Sequence, residues 1–242
     1  MSISSSGSVH AAGSAFAPAR LGASRPARPS QLDPALVNQI AGGVDPEQLS
    51  ELSHATAASL LDRVHHTQDP QVVQRVLTLV DVEGVDLVAE LWSHAEPDSL
   101  PGILWRLYML RTWMRRDRDS ISRLWRVGEP VATTASAIAG VDQAPNEDDI
   151  VRLADSILSG AFVGDFAVAL ERASAFCDVI VAGLQAEAHH RNTHLAAAAV
   201  TPASEHAHRE AAARMLHNAA SLRHTAEDFR HGAALWRRGK LE

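Results

Sequence analysis

Cysteine occurs once in the 242 residues, at Cys177. A single thiol excludes an intramolecular disulfide framework and any cysteine-based zinc finger, and it fits a reducing compartment, so a cytoplasmic location is expected. No run of 18 apolar residues exists, which leaves no candidate for a membrane-spanning helix, and the first 30 residues hold no continuous hydrophobic signal segment. Chemistry-bearing motifs are equally scarce. There is no Gly-x-Ser-x-Gly elbow, no P-loop and no dinucleotide glycine fingerprint, so catalysis by a nucleophile or a nucleotide has little support and the reading leans away from an enzyme. Hairpin dipeptides and sustained apolar–polar alternation are missing too, which argues against strands. No fixed period of 20 to 50 residues marks a solenoid. Lysine and tyrosine each occur once, at Lys240 and Tyr108, whereas arginine supplies 21 of the 22 basic residues. That bias reflects codon composition before chemistry.

What is present is enough for a folded core. Hydrophobic residues make up 46% and charged residues 21%, with a mean hydropathy of -0.09. The net charge of -7 conceals blocks. Residues 1–30 carry +3, residues 31–99 carry -10, residues 100–128 carry +5 and residues 129–242 carry -5. One short basic segment thus lies within an acidic chain, and a sequence pI near 6.0 makes the whole a poor generic binder of duplex nucleic acid. Residues 1–31, rich in Ser, Ala and Arg, superficially match a transit peptide but read better as a disordered tail. A helical domain over 32–190 follows, then a His-rich C-terminal helix over 191–242 that can dock on it.

Helical periodicity organises the chain into an all-α bundle of about six to eight helices. Asp45 and Pro46 start a helix ending near His66, and Asp69 with Pro70 repeats that signal ahead of Val72, Val73, Val76, Leu77 and Val80. Between Ser99 and Arg116, Leu100, Ile103, Leu104, Leu107, Leu110 and Met114 share one face. Trp105, Tyr108, Met109 and Trp113 occupy the others. A helix apolar all round is buried or serves two interfaces. A short helix is expected over Ser120–Val127, stopped by Gly128 and Pro130, and a loop over 129–145 with room for a brief helix. Asn146 starts the next helix, which Gly160 is expected to end. Phe166, Leu170, Ala173, Cys177, Ile180 and Leu184 alternate steps of four and three, the seam of a long packed helix, and place Cys177 in the core. Thr201 and Pro202 open a last helix with an alanine-rich stripe of Met215, Ala219, Leu222, Ala226 and Phe229.

Two residue groups invite a functional reading. Eight of the 13 histidines lie after residue 188, and Glu187 with His190 and Glu205 with His208 form two Glu-x-x-His patterns. Paired patterns of this kind build di-iron sites in helical bundles. Here His217, His224 and His231 fall opposite the packing stripe of their own helix, so they are expected in solvent, with no metal and no cofactor. The second group is the arginine and tryptophan segment. Arg111 lies within the apolar face and needs a carboxylate, with Asp81, Glu83, Asp86 and Glu90 as candidates, and Arg106 is likewise expected to be structural. Trp105, Trp113, Arg115, Arg116, Arg123 and Arg126 are the candidate contacts to a partner, because guanidinium pairs bidentately and Trp supplies buried area. Glu147, Asp148 and Asp149 sit where a helix dipole favours acids and require no catalytic role.

The stretch Asp98-Ser-Leu-Pro-Gly-Ile-Leu-Trp-Arg-Leu-Tyr-Met-Leu-Arg-Thr-Trp-Met-Arg-Arg116 resembles a segment of uncharacterised all-helical proteins from high-GC actinobacteria. The resemblance extends over about residues 45–190. It implies a bacterial cytoplasmic origin and no activity. The functional expectation is therefore a non-enzymatic interaction or adaptor protein, with a protein partner or self-association and no membrane. The alternatives are a nucleic-acid or anionic-ligand module using residues 105–126 and a metal-dependent helical enzyme.

Overall fold

The computed structural model describes residues 46–67, 91–141, 145–197 and 202–242, and all regular structure among them is helical. The helices are α1 (Pro46–Thr67), α2 (Leu100–Arg116), α3 (Arg118–Gly128), α4 (Thr133–Ala139), α5 (Glu147–Val163), α6 (Phe166–Ala197) and α7 (Pro202–Arg237). They form the expected all-α bundle, within one unit spanning Asp45–Glu242. The expected N-terminal tail and the expected helix after Asp69 lie outside the described residues.

Local chemistry sets most of the boundaries. Ser99 caps α2 by accepting a hydrogen bond from the Gly102 N–H at 3.2 Å, with Pro101 in the first turn where its missing N–H costs nothing. Asn146 opens α5 through a reciprocal capping box. The Asp149 N–H donates to the Asn146 side chain at 3.0 Å, and the Asn146 N–H donates to the Asp149 carboxylate at 2.8 Å. The brief helix in the 129–145 stretch is α4, ended by Gly140 at φ 78°, where the left-handed backbone favours glycine. Two expected ends shift. The α3 helix starts at Arg118, directly after α2, and α5 continues through Gly160 to Val163. A glycine inside a helix costs only about 1 kcal/mol, which the packing of Ile157, Leu158, Ala161 and Phe162 offsets. The true break is Gly164, where Asp165 caps α6 by accepting the Ala167 N–H at 2.9 Å.

The spine of the bundle is α6. All six seam residues from Phe166 to Leu184 are buried, and so are Ala167, Ala169, Phe176, Val179 and Val181 on its other sides. A helix buried this broadly must be surrounded, and α3, α4, α5 and α7 all pack on it. At the α3 crossing the two backbones touch. A Cβ on Gly183 would lie 2.2 Å from the Leu124 carbonyl oxygen, and one on Gly128 would lie 2.1 Å from that of Val179. Gly128 therefore closes α3 and also admits α6. Along α7, Ala219, Ala226 and Phe229 are buried and Met215 and Leu222 pack at the core edge, as their spacing predicts. Polar contacts fix the register: Ser174 donates to the Ala226 carbonyl at 2.9 Å, and Arg230 donates to Asp178 at 2.7 Å. Beyond α7 the chain turns back, and the Leu100 N–H at the start of α2 donates to the Glu242 main-chain oxygen at 2.8 Å.

Candidate interaction surface on α2 and α3

The α2 helix divides by angle into an inward and an outward side. The inward side is the predicted stripe, with Ile103, Leu104, Leu107, Leu110 and Met114 buried. Arg111 belongs to it, its side chain only 4% exposed, and its Nε donates to Asp155 Oδ1 on α5 at 2.8 Å. Arg115 Nη1 reaches the same carboxylate, at 2.9 and 3.1 Å from its two oxygens. A desolvated guanidinium is thereby matched by an acid that stays 36% exposed, which limits the desolvation cost. Asp155 was not among the expected partners, and the acids expected for the role, Asp81, Glu83, Asp86 and Glu90, lie outside the described residues. Arg106 is structural as expected, donating to Asp228 on α7 at 3.0 Å.

The six candidate contact residues do not form one group. Arg115 is engaged by Asp155 while its side chain stays 39% exposed. Trp113 turns towards the core and meets Phe176 edge-on, with ring centroids 6.3 Å apart. The first contact comes from α5, packed beside α2, and the second from Phe176 of α6. Arg116 is exposed and donates from Nε and Nη2 to Asp117 Oδ2 at 3.1 and 2.9 Å. On α3, Arg123 is exposed and bonded to Ser120 at 3.1 Å, and Arg126 is exposed. Trp105 is half-buried, packs against the core with part of its ring and stacks on Tyr108, with centroids 5.9 Å apart and planes 21° apart.

Around that stack lies a feature that joins two of the expected contacts, Trp105 and Arg116, to three residues not singled out as contacts, Tyr108, Met109 and Thr112. Trp105, Met109, Thr112 and Arg116 follow one another in steps of four, three and four along the outward side of α2, with Tyr108 alongside. Met109 is 46% exposed, and Thr112 is also exposed. The Thr112 hydroxyl donates to the Tyr108 carbonyl at 3.0 Å within its own helix. The signal was present in the apolar character of α2 on every side.

His217, His224 and His231 are exposed as their phase predicts, and His224 lies 3.3 Å from Glu227. Glu187 pairs with Arg191 at 3.2 Å. Among the described residues no group of three or more His, Cys, Asp or Glu could hold a metal ion. Cys177 is buried, and desolvation pushes its thiol pKa up, away from the thiolate a nucleophile needs. A largely apolar groove of about 700 Å³ opens between α1 and the chain's last residues, lined by Ala58, Leu61, Leu100, Trp236 and Leu241 with His54 at its side. No described helix is long and apolar enough to cross a membrane. Comparison with protein families, curated proteins and solved structures finds no match.

Proposed function

We propose that this protein works without catalysis, by docking a protein partner on the outward side of α2, in the bacterial cytoplasm. The observation that supports the reading is the outward strip of exposed Met109 and Arg116 with the half-buried Trp105 and Tyr108 beside them. These are the residue types that concentrate at protein interfaces, where an aromatic body supplies buried area and a polar tip or guanidinium supplies direction. The cytoplasmic part rests on the single buried Cys177.

Nucleic-acid binding is the weaker reading, because Arg106, Arg111, Arg115, Arg116 and Arg118 each lie within 4 Å of a carboxylate. Phosphate neutralisation would have to rest on Arg123, Arg126 and few others. The test is capture from the native host with the wild-type chain and with Trp105→Ala plus Met109→Glu. The expected result is a protein retained by the first and lost by the second, with helicity unchanged by circular dichroism. An identical captured set from both would overturn the reading. Captured DNA or RNA whose binding weakens steeply with salt would instead establish the alternative.

A further inference from the structure

The outward seam of α2 has an order along the helix that makes it complementary to itself. Trp105, Met109, Thr112 and Arg116 are symmetric in sequence about the midpoint between Leu110 and Arg111. If a second α2 lies antiparallel across this face, a two-fold axis at that midpoint sets Trp105 opposite Arg116 and Met109 opposite Thr112, each twice. Steps of four, three and four are those of a coiled-coil seam, so the four layers fall along one contact line about 18 Å long.

Each layer is chemically matched in the observed side-chain states. The Arg116 guanidinium bonds Asp117 through its edge, from Nε and Nη2, and this leaves its flat faces open. A guanidinium held by its edge is presented for stacking on an indole, and the Trp105 ring is itself steadied by its stack on Tyr108. In the inner layers, the Thr112 hydroxyl is already satisfied by the Tyr108 carbonyl, so it makes no polar demand on the methionine opposite. Met109, an unbranched and adaptable side chain, suits such a small neighbour. A parallel arrangement would instead oppose Arg116 to its own copy, like charge against like.

From this self-complementarity we infer that the occupant of the α2 face is a second copy of this chain, in an antiparallel two-fold dimer. The inference rests on the docking reading above and names its partner. One helix pair buries less than a standard interface, so the dimer should be weak, with a Kd on the order of micromolar.

The experiment is sedimentation equilibrium of the full chain over a concentration series, joined to cysteine cross-linking. The expected mass rises with concentration from 26.0 kDa towards twice that value. Trp105→Ala, Arg116→Ala and Met109→Glu should each raise the dimer Kd about tenfold or more, because the two-fold doubles every lost contact. Mixing a Met109→Cys protein with a Thr112→Cys protein under mild oxidation should give a mixed disulfide dimer. Either protein alone should cross-link poorly, since the equivalent positions are offset along the axis by about 4.5 Å. A monomer at every concentration up to about millimolar overturns the inference, as does a dimer indifferent to all three variants or one that cross-links without the mixed preference. If the chain is monomeric and Met109→Glu still loses a captured protein, the second copy falls and the docking reading stands. If Met109→Glu alters neither assembly nor capture, both fall.

Discussion

The α6–α7 pair is built differently at its two ends. Near the start of α6, Phe166, Leu170, Ala173, Phe176 and Cys177 are buried on several sides, and α7 meets them with Ala226, Phe229 and Ala233. Beyond Leu184 the same two helices bury only alanines among the described side chains, Ala188 on α6 and Ala212 and Ala219 on α7, while His189, His190, His206 and His208 are exposed. Helical pattern and helical conformation continue across both halves. What changes is the number of neighbours, and with it the apolar area removed from water. A continuous helix is therefore no measure of continuous stability, and local opening should begin at the alanine end.

The sharpest test is a pair of truncations on α7. Phe229→Ala should cost about 3 to 5 kcal/mol in urea unfolding, whereas Leu216→Ala, 47% exposed in the other half, should stay within about 0.5 kcal/mol. Equal losses would erase the contrast. The next effect concerns the crossing of α3 and α6. Gly183→Ala should destabilise by about 3 kcal/mol, because the obstacle is a backbone carbonyl that cannot rotate away. Gly160→Ala, whose new methyl would meet only Ala169 Cβ at 3.8 Å, should be neutral or raise Tm through helix propensity.

Arg111→Ala should cost about 2 kcal/mol, less than a fully buried pair would, since Asp155 keeps some solvent and Arg115. Arg115→Ala should cost under about 1 kcal/mol, and the double variant should depart from additivity because both residues share one carboxylate. The smallest effect is a pH dependence. The Arg237 side chain bonds Glu171, at 2.9 Å for Nη2 and Oε2, and this holds the Glu171 carboxyl below its ordinary value of 4.5. A lowered folded-state pKa contributes stability that is present above 4.5 and lost as pH falls below it through the folded value. Thermal melts should show a slight additional loss there in the wild type and not in Glu171→Gln. Replacing His217, His224 and His231 together with Gln should move stability by no more than about 0.5 kcal/mol at neutral pH.

These contrasts also mark where sequence reasoning succeeded. The α6 seam, the Asn146 cap and the outward histidines were legible because each depends on residues within one helix. Asp155 was not, because it lies 44 positions from Arg111 and only the packing of α5 beside α2 brings them together. Gly160 misled because glycine's local preference for ending a helix is weaker than the burial around it. Gly128 was read as a stop, which is correct, but its second role needs knowledge of what crosses it. The α2 face fell between these cases. Its apolar residues were visible on every side, yet only the packed fold shows which side the other described helices leave uncovered.

The position of the spine in the chain has a consequence for synthesis. The α6 helix is the surface on which α3, α4, α5 and α7 assemble, but it is made after α2, α3, α4 and α5. At ribosomal rates of about 5 to 20 residues per second, the inward stripes of α2, α3 and α5 emerge and wait roughly 2 to 20 s before α6 is complete. During that interval only their contacts with one another can shelter them. Nascent chains stalled before residue 166 should therefore engage holdase chaperones strongly, and those stalled past residue 242 on a linker should not.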